Sequence, residues 1–240
     1  NMNVFFFDNN GENDAPLKLI TKDELIHKFI ELEKEGWIKN YRGHNDGAVG
    51  NIVEDKLGIP ENNLPIPNAA EWELKAQRAT TTSLLTLKHV EPSPSAAKLV
   101  SSMLLPKYGW PHKDAGTKYP ETEMSFRSTT NAVSYTDRGF KLNVNRKEKR
   151  VEFIFDASHC DKMNHGDWLK SVEKRIGLGP FPVVPYWGFN DLYTAVGAKL
   201  RNCFYVRADV IKNDQGEFFH YNDVRMLKSV NLEKFIDCIE

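Results

Sequence analysis

Cysteine is scarce in this chain. Cys160, Cys203 and Cys238 are the only three in 240 residues, an odd number without metal-ligand spacing. That argues against a disulfide framework and against a zinc site, and it fits a reducing cytoplasm. Long apolar runs are missing too. The opening NMNVFFFDNN is apolar only from Val4 to Phe7, too short for a signal-peptide core or a membrane span, so a soluble protein with no membrane partner is expected. Nor is there an excess of charge. Thirty-two basic residues against 33 acidic ones leave a net charge of −1, so no global basic signature points to a polyanionic partner. A nucleic-acid surface would have to be a local patch. The basic clusters present, Lys141 to Arg150 and Lys22 through Lys39 to Arg42, are diluted by acids and polar residues, and each reads more readily as a solvated face. The length permits a substantial core in one large domain or two lobes, and no internal repeat is evident.

What is present is irregularly alternating helix and strand signals. Thr21 to Gly36 reads as a helix, with Thr21 as N-cap, Glu24 completing a capping box, and Leu25, Phe29 and Leu32 at helical spacing. A polar stretch from Asn40 leads into a second amphipathic helix, in which Val49, Ile52, Val53 and Leu57 form the apolar stripe and Gly58 closes it. IPENNLPIPNAA predicts an irregular connection. After it, Glu71 to Ala76 predicts a short strand, and the apolar run Ser83 to Leu87 predicts a partner strand. EPSPSAA reads as a turn and helix start, and Lys107 to Asn131 as a partly irregular excursion. Phe140 to Val144 and Val151 to Phe155 face each other as a hairpin. A helix near Asp167 to Arg175, a proline-rich loop from Gly179 to Pro185 and a helix from Asn190 to Leu200 follow. Strands FYVRADVI and FFHY and a final helix at Leu232 to Ile239 complete the chain. The pattern predicts a mixed α/β fold around a central sheet.

Within the first strand, Glu73 and Lys75 sit two residues apart and project from one face. A carboxylate beside an ammonium can hold a divalent cation and position an attacking water, the chemistry that cuts a phosphodiester. Alone, the E-x-K pattern is far more often a surface ion pair.

The surrounding blocks carry more. GAVGNIVEDKLG, NAAEWELKAQR, TSLLTLKHVEPSPS and YWGFNDL, in this order and spacing, resemble the MvaI/BcnI group of type II restriction endonucleases and, more distantly, the mismatch-repair nickase MutH. The likeness runs from about Glu24 to the end. It implies a restriction-endonuclease-like core, a mixed sheet flanked by helices, with a lobe that reads DNA: residues 1–240 as one unit, a catalytic lobe centred on 21–95 and a recognition lobe including 107–146. It also implies a cytoplasmic, site-specific deoxyribonuclease that uses Mg2+ and acts on double-stranded DNA as a monomer, nicking the two strands in turn. A non-cleaving DNA-binding module with a degenerate nuclease site and a MutH-like repair nickase are the alternatives. The relatives continue with a further strand and a histidine-containing segment, so the C-terminal part of the family fold is expected to be absent here.

Carried over residue by residue, the resemblance makes Glu54, Glu73 and Lys75 catalytic, with Glu54 acting at one remove or at a second metal position. The family's metal-binding aspartate falls on Asn68, which with Glu73 forms the expected metal ligands. An amide oxygen brings no charge, so the metal would be held more weakly. Three explanations stand: an amide introduced to trap an uncut complex, a neighbouring acid such as Glu61 or Glu71 moving in, or a natural protein with little or no activity. DNA contacts are expected from Arg42, His44 and Asn45 before the glutamate helix, from Lys88 and His89, and from Lys107, Tyr108, Arg127 and Asn131 in the loose middle segment. Trp187 and Phe189 are expected to pack rather than react.

Overall fold

A computed structural model describes residues 20–43, 45–59, 72–197, 200, 202–227 and 230–240. The fold is mixed α/β and divides into two compact units, Asn1–Leu85 with Asn202–Leu227, and Thr86–Arg201 with Lys228–Glu240.

In the first unit, helix α1 (Lys22–Glu35) begins at the expected capping box. The Glu24 amide donates to Thr21 Oγ1 at 3.2 Å, and the Thr21 amide donates to Glu24 Oε2 at 2.8 Å. Leu25, Phe29 and Leu32 form its buried face. Helix α2 (Ala48–Leu57) buries Val49, Ile52, Val53 and Leu57 and ends at Gly58, whose left-handed φ of 69° suits glycine. The Lys28 ammonium donates to the Leu57 carbonyl at 2.7 Å, tying α1 to the end of α2 where a cation also suits the helix dipole.

Both helices cover a four-stranded sheet of order β1-β9-β8-β2, built from β1 (Ile38–Lys39), β2 (Glu73–Arg78), β8 (Cys203–Asn213) and β9 (Gly216–Leu227). β2 runs parallel to β8, and the other pairs are antiparallel. The core joins the helix stripes to Leu74, Phe204, Val206, Ala208, Phe219 and Tyr221. Each buried Val, Leu, Ile or Phe among them contributes roughly 1.5–3 kcal/mol.

The partner predicted for β2 is corrected. Ser83 to Leu87 forms no strand, and Leu84 is 76% exposed. The parallel edge of β2 is taken instead by β8, whose alternation of Phe204, Val206 and Ala208 supplies the apolar rungs that match Leu74 and Ala76. The two late strands are also longer than FYVRADVI and FFHY, because they form one long hairpin with a register shift between Arg207 and Asp209.

In the second unit, β5 (Arg138–Asn145), β6 (Arg150–Cys160) and β7 (Tyr186–Gly188) make an antiparallel sheet in the expected hairpin register, Phe140 opposite Phe155 and Val144 opposite Val151. Gly139 has φ 81°, and a Cβ there would lie 2.3 Å from the Asp156 carbonyl oxygen, so the bulge beside it requires glycine. A wide π-type helix, Val100–Tyr108, and α3 (Lys162–Ile176) pack on an aromatic cluster of Tyr108, Phe140, Phe153, Phe155, Trp168 and Phe181. α3 starts before the expected Asp167, because Asp161 caps it by accepting from the amides of Met163 and Asn164. Between these elements, 107–131 contains only the short pair β3 (Trp110–Pro111) and β4 (Met124–Ser125) after the helix ends. Trp187 donates to the Val90 carbonyl at 2.9 Å and Phe189 is buried, both packing residues as expected. No helix among the described residues is long and apolar enough to cross a membrane.

Candidate functional site

Alternation along β2 separates its two faces. Leu74 and Ala76 enter the core, which leaves Glu73, Lys75 and Gln77 on the other side of the sheet. The Lys75 ammonium lies 2.7 Å from Glu73 Oε1, with the side chains 25% and 5% exposed respectively. A carboxylate this deeply buried requires close polar partners, and the neighbouring ammonium supplies one at a distance typical of a charge-assisted hydrogen bond. The Glu73 amide donates to the Asn202 carbonyl at 2.8 Å, which fixes the start of the strand against β8. Glu54 is half-buried on α2, a helix that packs against β2.

The parallel register places Tyr205 opposite Lys75 and Arg207 opposite Gln77. Gln77 is held at both ends of its amide. Its Oε1 accepts from the Tyr205 hydroxyl at 2.9 Å, and its Nε2 donates to the Ser83 carbonyl at 3.2 Å. The irregular segment after β2 is thereby tied to the polar face. Nothing in the local sequence signals these partners, since Tyr205 and Arg207 follow Gln77 by more than a hundred positions.

Arg78 ends β2 in a buried cluster. Its guanidinium donates to both carboxylate oxygens of Glu217 at 3.1 Å and to the carbonyls of Asn45 and Asp46 at 3.2 Å, and it stacks 5.2 Å from the centre of the Phe219 ring. Asn40 Nδ2 donates to Glu217 Oε2 at 2.8 Å and to the Gly43 carbonyl at 2.7 Å. Arg78 and Asn40 together hold the Glu217 carboxyl down to about 2 against the opposing effect of burial. The cluster fixes the loop that carries Arg42 and Asn45.

Of the expected DNA contacts in that loop, Arg42 already forks onto both oxygens of Asp55, with Nε 2.8 Å from Oδ2. Its guanidinium lowers the Asp55 carboxyl. Asn45 is exposed, while His44 and Asn68 lie outside the described residues, as do Glu61 and Glu71. In the second unit Lys88, His89, Arg127 and Asn131 are exposed and Lys107 is half-buried. His89 borders a cavity of about 460 Å³ that Phe126, Ser128, Thr130 and Trp187 also line. Asn131 spends its side-chain oxygen on a turn, accepting from the amides of Val133 and Ser134. Tyr108 is a correction. Its side chain is 1% exposed and lies edge-on to Phe155 and Phe181, so it belongs to the core and cannot meet a ligand. Burial pushes its hydroxyl up.

The buried Glu73 carboxylate is a hard oxygen donor of the kind a divalent cation such as magnesium takes. Magnesium sites commonly use one or two carboxylates with water and phosphate oxygens completing the shell. Among the described residues no group of three or more His, Cys, Asp and Glu residues gathers in metal-binding fashion. Glu73 therefore fits as one ligand of such a cation.

The family model described as the MvaI/BcnI restriction endonuclease family matches residues 26–240. Among solved structures, a complex of restriction endonuclease MvaI with cognate DNA substrate is similar at a TM-score of 0.68 and 19% identity, covering 90% of this chain and 78% of that one. That likeness establishes the fold. Restriction endonuclease MvaI in the absence of DNA aligns over 96% of this chain and 81% of that one at 16% identity, with a TM-score of 0.44 that bears no weight. No curated protein matches.

Proposed function

Because the chain belongs to the MvaI/BcnI restriction endonuclease family, we propose that it is a magnesium-dependent, sequence-specific endonuclease that hydrolyses phosphodiester bonds of double-stranded DNA. The observation that carries this reading is the buried Glu73 carboxylate 2.7 Å from the Lys75 ammonium on the polar face of an edge strand. We read the first unit as catalytic and the second as recognising DNA. The protein acts as a monomer in the cytoplasm.

Glu73, residue 68 and the main-chain oxygen next to Lys75 would hold the cation. Bound there, magnesium would supply Lewis-acid polarisation of the scissile phosphate and lower the pKa of a bound water. The chain's own residues do the rest. Lys75, kept as an ammonium beside Glu73, orients the attacking water in line with the leaving oxygen and its positive charge favours the developing anion, while the water's proton passes to solvent. Glu73 keeps that ammonium in place. Glu54 acts from α2 at one remove.

Asn68 makes the parent sequence a weak or silent nuclease, since an amide contributes an oxygen without charge. A second reading therefore stands on the same residue: a DNA-binding protein that no longer cuts. The two separate on a diverse plasmid substrate in magnesium. Asn68→Asp is expected to cut it. A variant that binds duplex DNA with steep salt dependence and leaves the plasmid intact supports the non-cleaving reading instead.

A further inference from the structure

The polar face that holds Glu73 and Lys75 continues across β8 and β9. Register defines three rungs: Glu73, Cys203 and Leu227; then Lys75, Tyr205 and Arg225; then Gln77, Arg207 and Asp223. The opposite face of the same strands is the apolar core, in which Leu74, Phe204 and Val206 are buried. Three cations, Lys75, Arg207 and Arg225, thus stand against two acids, Glu73 and Asp223, on one surface of a chain whose overall charge is −1.

The two arginines are oriented rather than buried. Arg207 donates one guanidinium N–H to the Ala79 carbonyl at 3.1 Å. Arg225 forks onto Asp223, with both N–O distances 2.9 Å, and is itself 61% exposed. A guanidinium fixed through one edge presents its remaining donors in a set direction, which suits phosphate oxygens better than a freely rotating ammonium does. Diagonal neighbours on adjacent strands lie about 7–8 Å apart, so Lys75, Arg207 and Arg225 form a continuous patch of cations.

We infer that Arg207 and Arg225, set on the face that carries Glu73 and Lys75, form a phosphate-binding track for the sugar-phosphate backbone of the DNA. The inference rests on the nuclease reading above and extends it to two residues outside the catalytic pair. Tyr205 borders the track between Lys75 and Arg225 and ties it to Gln77. The arginines bind and orient the strand without sequence preference, because phosphate contacts position a duplex and base contacts specify it.

The test is binding of a fluorescein-labelled duplex of random sequence to the full chain, followed by anisotropy from 50 to 200 mM KCl without divalent cation. One phosphate contact contributes about 0.9 to the slope of log affinity against log salt, or about 3.5-fold over that fourfold range. Arg207→Gln and Arg225→Gln are each expected to reduce the salt-dependent loss of affinity by about 3.5-fold, and the double variant by about 12-fold. Lys34→Gln, on the helix that covers the apolar face, is expected to leave the slope unchanged. Arg225→Gln keeps the test valid if Arg207→Gln fails to fold, since Arg225 is largely exposed. A parent that binds while both variants keep its slope overturns the track and leaves the nuclease reading standing. A parent that binds no duplex at 50 mM KCl overturns both.

Discussion

Replacing Arg78 by methionine leaves the Glu217 carboxylate inside the fold without its main cation. The Arg78 side chain is 16% exposed and that of Glu217 only 5%, so little solvent is available to compensate. Breaking a buried pair by removing one partner costs about 3–5 kcal/mol. The carboxyl's fall from 4.5 to about 2 corresponds to about 3 kcal/mol, shared among Arg78, Asn40 and Lys212 and net of the opposing effect of burial. The sign follows from linkage. A lowered carboxyl stabilises the fold above pH 4.5, and the contribution is lost as pH falls toward 2. Arg78→Met is therefore expected to lower the melting temperature of the 240-residue chain by roughly 6–20 °C at pH 7. The gap between parent and variant should close between pH 4.5 and pH 2, because protonated Glu217 no longer needs the guanidinium. Adding Glu217→Gln should recover part of the loss at pH 7. Calorimetric melts across this pH range, read with far-ultraviolet circular dichroism, provide the assay. Melts of Arg78→Met within about 1 kcal/mol of the parent at pH 7, or a gap that does not change with pH, would refute the clamp.

Other perturbations probe the site and its frame. Lys75→Met in an Asn68→Asp background is expected to slow DNA cleavage by roughly 100-fold or more, with duplex affinity changed only by the loss of one charge; single-turnover cleavage and anisotropy separate the two. Equal losses in affinity and rate would instead make Lys75 a simple phosphate ligand. Gly139→Ala forces a Cβ against the Asp156 carbonyl at a positive φ, so thermal melts should show a loss of more than about 1 kcal/mol confined to the second unit. Thr21→Ala removes the capping box of α1 and should cost about 1 kcal/mol in urea unfolding.

Local chemistry was legible in the sequence where it decides local structure. Thr21, Glu24 and Gly36 bracket α1 because caps act within a few residues, and Gly58 ends α2 for the same reason. The faces of β2 were legible because strand alternation places Glu73 and Lys75 together whatever the strand pairs with. Its partner was not. Ser83 to Leu87 had the apolar composition of a strand, but the parallel edge was filled by residues more than a hundred positions later, a choice made by packing against the whole core. Tyr108 illustrates a second limit. A tyrosine in a lysine-rich stretch suits a DNA contact by type, and only the aromatic cluster around it shows that its ring is core. Arg78 and Glu217 are separated by 139 positions, so their cluster left no sequence pattern to read.

Sequencing the DNA ends left by Asn68→Asp in magnesium tests the central claim most directly. The account predicts that the ends share one short site with a fixed stagger, and that adding Glu73→Gln abolishes them. Ends scattered at random, or intact DNA under conditions in which the protein binds duplex, would contradict it.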